Sequence, residues 1–255
     1  MDNLLLRLEG VSKHFGGLKA VDQVSFSLSP GEILGLIGPN GAGKTTCFNL
    51  ISGVYTPTLG KIFFEGASTG GFPPHRMAAL GVGRTFQVVK PFTSLSVLQN
   101  VMVALGLSRY RGVFASFARW ETEAVRRQGL SLLEEVGIAH LADMPSGKLP
   151  LGNQRCLELA RALALEPKLL LLDETFSGLR HEEISLLSRL VEQVRRKGIA
   201  VLLIEHNMKV AMGLSDRLVV LDHGRLLAQG SAEEVRSNPQ VIEAYLGKGA
   251  SSHAS

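Results

Sequence analysis

The stretch Gly38-Pro39-Asn40-Gly41-Ala42-Gly43-Lys44-Thr45-Thr46 constrains this chain more than any other, because it fits the pattern G-x-x-x-x-G-K-[ST] at every fixed position. Gly38 and Gly43 allow backbone angles and close approaches that a Cβ would block, so successive N–H groups can converge on phosphate oxygens. Lys44 supplies a point charge for terminal phosphates, and the Thr45 hydroxyl is placed to ligate Mg²⁺. The flanks suit such a loop. Ile33, Leu34, Leu36 and Ile37 form an apolar run too short for a helix and typical of a buried parallel strand. Thr45 to Ser52 lacks Pro and Gly, ends at Gly53 and reads as a helix whose positive N-terminus faces the phosphates. A glycine-rich turn between two core elements is the plain alternative.

With 255 residues, 45% of them hydrophobic and 20% charged, the chain can bury a substantial core as one large domain or two lobes. Cys47 and Cys156 lie far apart with no C-x-x-C pair, so a reducing compartment is expected and neither a disulfide framework nor a zinc site is. Met1 to Gly10 carries Asp2, Arg7 and Glu9 and lacks the apolar core of a signal peptide. The longest apolar segments, Leu169 to Leu172 and Ile199 to Ile204, fall far short of the roughly twenty residues a spanning helix needs. The net charge of +4 does not form a basic stripe interleaved with aromatics, so no nucleic-acid partner is expected. Arg195, Arg196 and Lys197 instead close a predicted helix, and Arg126 and Arg127 lie on a solvated one.

Short strand-like runs open the chain at Leu4 to Leu8 and Val24 to Leu28, with turns at Gly16-Gly17 and Pro30-Gly31, and Lys61 to Phe64 adds another. These predict a small antiparallel region. A loop at Gly70 to Pro74 precedes a short helix, and from Leu95 to about Leu141 the pattern turns mostly helical, interrupted near Gly112. Helix resumes from Asn153 to Ala164, and Pro167 stops it before the strand Leu169 to Leu172. Ile184, Leu187, Val191 and Val194 recur at helical spacing between that strand and Ile199 to Ile204, which predicts a parallel sheet. Arg217 to Leu221 and Leu226 to Gln229 read as a closing hairpin, followed by a helix near Val235 and a polar tail at Ser251 to Ser255.

A phosphate loop alone serves many reactions, so the second acidic element matters. Leu169-Leu170-Leu171-Leu172-Asp173-Glu174 ends a fully apolar strand in two acids. Asp173 can hold Mg²⁺ through its water shell and Glu174 can polarise an attacking water. The alternative is that Asp173 caps the next helix and Glu174 is merely solvated. His206, in Ile204-Glu205-His206-Asn207, falls at the same predicted sheet edge, where ligands collect in open α/β folds. Alone it reads equally as a hydrogen-bonded structural histidine, and Gln87, in Gly83-Arg84-Thr85-Phe86-Gln87, is weaker still.

Taken in order, these elements resemble the ATP-binding cassette ATPases over nearly the whole chain. The resemblance implies an α/β P-loop NTPase (RecA-like) core with a small N-terminal antiparallel β region and an inserted α-helical lobe. The single domain would have a core lobe of about 1–90 and 165–230, a helical lobe of about 91–164, and a C-terminal helix and polar tail of about 231–255. It implies an enzyme that hydrolyses ATP with Mg²⁺. Gly38 to Thr46 would hold the phosphates, Thr45, Gln87 and Asp173 the metal, Glu174 the attacking water, and Gln87 with His206 would sense the γ-phosphate. Phe15, in Lys13-His14-Phe15-Gly16-Gly17, would stack on adenine, although a buried strand aromatic is as natural a role. Two cassettes, identical or different, would close head to tail, so that Leu149, Pro150, Leu151, Gly152 and Asn153 act in trans on the partner's ATP.

Phe15 to Val21, Pro73-Pro74-His75-Arg76, Arg84-Thr85-Phe86-Gln87, Ser96 to Val101 and Pro239 to Gly247 look like the branched-chain amino acid importer ATPases, the longer subunit in particular. Such a subunit would sit on the cytoplasmic face of the inner or plasma membrane, peripheral through transmembrane permeases. A periplasmic or extracellular solute-binding protein would join it indirectly. Importers of urea or amides are alternatives. The stretch Leu149-Pro150-Leu151-Gly152-Asn153 departs from the family's Leu-Ser-Gly-Gly-Gln, Thr175 stands where proline is usual, Arg180 where Asn or Asp is, and Asn207 where aspartate is common. A regulatory partner that closes on ATP but hydrolyses it weakly is therefore a second reading.

Overall fold

A computed structural model describes residues 4–85, 91–109 and 122–246 of the chain. Gln87 and the interruption expected near Gly112 lie outside the described residues. Leu6–Phe15 (β1) and Leu18–Leu28 (β2) pair antiparallel across the Gly16-Gly17 turn. Both run further than their apolar stretches predict, because they pair with each other up to the turn, Phe15 with Leu18; β1 is also held on its second side by Leu59–Phe64 (β4), which pairs with Ala67–Ser68 (β5). The resulting sheet has the order β2-β1-β4-β5.

Ile33–Ile37 (β3) leads through the glycine loop into Lys44–Ile51 (α1). After Pro74–Leu80 (α2), Val82–Arg84 (β6) forms a strand that the sequence did not announce, since three residues including Gly83 carry no readable period. Val97–Arg109 (α3), Glu123–Glu135 (α4) and Leu151–Leu163 (α5) make the helical part, with α5 starting two residues before the predicted Asn153. Leu169–Asp173 (β7), His181–Arg196 (α6) and Ala200–Ile204 (β8) follow as the expected strand, helix and strand. Met208–Leu214 (α7), the hairpin Arg217–Asp222 (β9) and Arg225–Gly230 (β10), Ala232–Ser237 (α8) and Pro239–Leu246 (α9) complete the described chain.

The second sheet has the order β10-β9-β3-β8-β7-β6 and is parallel except at the β9/β10 edge. Its inner strands β3, β7 and β8 are buried on both faces. Leu170, Leu172, Val201 and Leu203 point into a core shared with α3, α4, α5 and α6, while Leu169, Leu171, Leu202 and Ile204 point into one shared with α1 and the antiparallel sheet. That alternation explains why β7 and β8 read as unbroken apolar runs, each full burial being worth about 1.5–3 kcal/mol. Parallel pairing also brings the carboxyl ends of β3, β6, β7 and β8 to one edge, with Asp173 in register with Ile204. Among the described residues no helix is long and apolar enough to cross a membrane.

Candidate active site

The glycine loop is shaped by contacts that leave no room for side chains. Gly43 has φ 97° and caps α1, and a Cβ there would run into the Ala20 carbonyl oxygen; at Gly38, φ 149°, it would meet the Leu221 carbonyl oxygen. The β9–β10 turn braces the loop from outside. Gly224 N–H donates to the Ala42 carbonyl (3.1 Å), Asp22 N–H donates to the Gly224 carbonyl (2.8 Å), and Arg225 ion-pairs with Asp22 at 2.7 Å. The Lys44 ammonium is buried and donates to the carbonyls of Gly38 (2.7 Å) and Pro39 (3.0 Å), which keeps its charge inside the curl of the loop. Asn40 to Thr46 line a cleft of about 540 Å³ whose far wall is Glu174 and His206 and whose rim is Leu18, Lys19, Ala20 and His223. Converging amides, one cation and the start of a helix make this an anion site.

Of the two predicted acids Glu174 lines that cleft and Asp173 precedes it at the end of β7, and neither alternative role fits them. Asp173 is the last residue of β7, 4% exposed, and accepts from Arg84 Nη2 at 3.0 Å instead of capping a helix. Burial pushes its carboxyl above the ordinary aspartate value, and the Arg84 charge opposes that rise. Glu174 is largely buried rather than solvated, and its Oε1 lies 2.7 Å from His206 Nε2. Its backbone is left-handed, φ 50°, a conformation costing on the order of 1 kcal/mol or more in a non-glycine residue. Its N–H donates to the Ile204 carbonyl at 3.0 Å, and this bond across β7 and β8 holds the strained residue in place. The strain turns the glutamate out of the strand line, and its side chain lines the cleft.

A hydroxyl at Thr45 and a carboxylate at Asp173 are hard oxygen donors of the kind Mg²⁺ takes, and such an ion keeps waters and shares phosphate oxygens. Among the described residues no cluster of three or more His, Cys, Asp or Glu could cage a metal unaided. The chemistry of these two oxygen donors fits an ion that also takes phosphate oxygens and water.

The remaining predicted residues are distributed differently. Phe15 is 42% exposed, which removes the buried-aromatic alternative, and its ring meets Tyr55 edge-on at 5.2 Å, while the cleft rim is built by Leu18, Lys19 and Ala20. Leu149 is buried, Pro150 caps α5 without a side-chain bond, Leu151 is exposed, Gly152 is buried and Asn153 half-buried. None of the five lines this chain's own cleft. Gln87 cannot be placed, being outside the described residues.

Sequence reasoning missed Arg84 and Glu205. Glu205 is 3% exposed and accepts from Phe176 N–H at 3.0 Å; burial pushes its carboxyl up to about 7, against the Phe176 hydrogen bond. Thr85 and Thr175, both buried, share a 3.1 Å hydroxyl contact between the loops that follow β6 and β7. The readable signal was an arginine three positions before Gln87 and a glutamate directly before His206, each at the end of an apolar run.

A phosphate loop between β3 and α1, with acids at the end of β7, the next strand but one in the sheet, defines the class as a P-loop nucleotide-binding ATPase core. Known proteins narrow it. The ABC transporter family matches residues 21–177, and the family described as branched-chain amino acid ATP-binding cassette transporter matches residues 225–251. The chain is 42% identical to the high-affinity branched-chain amino acid transport ATP-binding protein LivG of Escherichia coli K12, covering 97% of this chain and 100% of that protein. It is 41% identical to the corresponding BraF of Pseudomonas aeruginosa, with the same coverage of 97% and 100%. The solved ADP conformation of MJ1267, an ATP-binding cassette of an ABC transporter, superposes with a TM-score of 0.86 at 31% identity, covering 96% of this chain and 99% of that one. The chain belongs to the ABC transporter family as one of its ATP-binding cassettes. It binds nucleotide, and its activity is ATP hydrolysis coupled to transport.

Proposed function

We propose that this chain is the ATP-hydrolysing cassette of an importer for branched-chain or closely related amino acids, working with separate permease subunits and a second cassette. The observation that carries the cargo class is the match of residues 225–251 to the branched-chain cassette family, beyond the general cassette match. In this reading residues 1–255 form one cassette domain, its core lobe and helical lobe divided as the sequence suggests. It works at the cytoplasmic face of the membrane through its permeases, supplied by a solute-binding protein on the other side.

The loop amides of Gly38 to Thr46 and the Lys44 ammonium bind the triphosphate. Thr45 and Asp173, with Gln87, would hold Mg²⁺, which would supply positive charge against the charge that builds on the phosphoryl oxygens. Glu174 accepts a proton from the attacking water, and His206, 2.7 Å from its Oε1, fixes the carboxylate toward the γ-phosphate. Phe15 packs against the base, and Leu149 to Asn153 act on the partner's nucleotide. That division of labour agrees with a cleft in which Glu174 and His206 face the phosphate loop while residues 149–153 do not.

The test is uptake of radiolabelled leucine in the host with this gene deleted. Uptake is expected to fall and to return with the wild-type gene but not with Lys44→Ala. Undiminished leucine, isoleucine and valine uptake in the deletion would refute the cargo class.

A further inference from the structure

One guanidinium in this site joins two elements that the nucleotide must also join. Arg84 Nη1 donates to Asn49 Oδ1 (2.7 Å) and to Ser52 Oγ (2.9 Å), the first within α1 and the second at its C-cap. Its Nη2 donates to Asp173 Oδ2 at 3.0 Å, and its carbon lies 5.9 Å from the centre of the Phe48 ring, also on α1. Both partners of the ion pair are nearly dry, with side-chain exposures of 14% and 6%. A pair so buried is held by geometry, because breaking it leaves a charge uncompensated. Arginine suits the place better than lysine, since its rigid planar fork carries separate nitrogens, one for the α1 oxygens and one for Asp173, whereas a lysine ammonium offers a single nitrogen.

The two elements tied in this way supply different ligands. α1 begins with Lys44 and Thr45, and β7 ends with Asp173. A carboxylate at a strand end can turn about its last torsion, and a hydrogen bond that fixes one oxygen also fixes the direction of the other. β6 is well placed to deliver the side chain, because it pairs with β7 in register, Arg84 opposite Leu171.

We propose that Arg84 is a positioning residue for the divalent cation, holding Asp173 against α1 so that the Asp173 carboxylate and the Thr45 hydroxyl stand ready as a pair. This rests on the reading of Asp173 as the metal carboxylate. Arg84 touches neither nucleotide nor water in this role. It acts on the metal through the carboxylate, as outer-sphere partners of metal ligands commonly do.

The experiment measures the affinity of the full purified chain for a fluorescent ATP analogue with Mg²⁺ and with EDTA, and takes the ratio as the metal-dependent gain. Arg84→Met is expected to cut that gain about 10-fold or more while changing the EDTA affinity little, the range seen when outer-sphere partners are removed. Arg84→Lys, which keeps the charge but not the fork, is expected to lose less of it and carries the test if Arg84→Met does not fold. Asp173→Asn is the control. If Asp173→Asn loses the gain and both Arg84 variants keep it, the role of Arg84 is refuted and that of Asp173 stands. Were Asp173→Asn to keep the gain, the metal reading itself would fall and this inference with it. A lower melting temperature in the Arg84 variants with an unchanged gain would mean a purely structural strut, and would also overturn the proposal.

Discussion

Replacing Glu205 by glutamine is expected to stabilise the protein at pH 8 and to do so far less at pH 5. Glu205 follows β8 directly, is almost fully buried, and accepts from Phe176 N–H at 3.0 Å. Burial lifts its carboxyl from 4.5 to about 7, Glu174 adds to the rise, and Arg155 with the Phe176 and His206 amides opposes it. Because the folded value is the higher one, the native state keeps a proton between about pH 4.5 and 7 that the unfolded chain has released. Stability therefore falls as pH rises through that window. The full shift corresponds to about 3 kcal/mol, of which about 2 kcal/mol or slightly more is lost between pH 5 and 8. Glutamine carries no such proton and can still accept from Phe176. The assay is urea unfolding of wild type and Glu205→Gln without nucleotide, followed by circular dichroism at steps from pH 5 to 8. The difference between the two proteins should move by about 2 kcal/mol in favour of glutamine across the series. A difference that stays flat across pH would refute the claim that Glu205 is folded as a neutral acid.

Glu174→Gln should lower phosphate release by about 10²–10⁴-fold while MgATP binding survives, since it removes the proton acceptor and no phosphate contact; near-normal turnover would remove Glu174 from the mechanism. Gly43→Ala puts a methyl group against the Ala20 carbonyl at φ 97°, so a melting temperature lowered by several degrees and weakened ATP binding are expected, and wild-type values for both would contradict the close approach. Cys47 and Cys156 are buried free thiols pushed up to about 12 and about 11, so neither should react with an aromatic disulfide reagent at pH 8 until urea is added. Rapid labelling of the folded chain would show that the cores around them open readily.

What could be read in the sequence was whatever local pattern alone determines. The phosphate loop, its flanking strand and helix, the acidic strand end and the closing hairpin all depend on short-range spacing, and Gly38 to Thr46, Asp173 and Glu174 were legible for that reason. Strand β6 was not, because three residues take their conformation from pairing with β7 and not from any period of their own. Arg84 and Glu205 escaped for a related reason. Each takes much of its chemistry from partners distant in sequence, such as Asn49 and Asp173 for Arg84 and Phe176 for Glu205, and no spacing rule connects them. The exposed Phe15 shows the converse, since β1 runs to its very residue and leaves the ring at the sheet's end instead of in the core.

The same long-range contacts bear on how the unusual sequence around Pro150 can be tolerated. Phe176, two residues after Glu174, sits in the core that also contains Leu149, Leu157 and Leu187, so the loop after β7 packs with the helical part of the fold. At the start of α5, a Cβ on Gly152 would come within 2.6 Å of Glu183 Oε1, and one on Gly178 within 3.2 Å of Leu151 Cδ2. Leu151 and Gly178 therefore lie close together where α5 meets the loop that follows Glu174, while Gly152 lies close to Glu183 on α6. The side chain of residue 150 has no hydrogen-bonding part in capping the helix: Pro150 occupies the N-cap with no side-chain bond. Losing a serine hydroxyl there costs α5 about 1 kcal/mol of capping, and leaves the packed joint and Glu174 as they are. Phe176 packs in the same core as Leu149 and Leu157 of this region, so the packing that links α5 to the loop after Glu174 does not depend on which residue stands at 150.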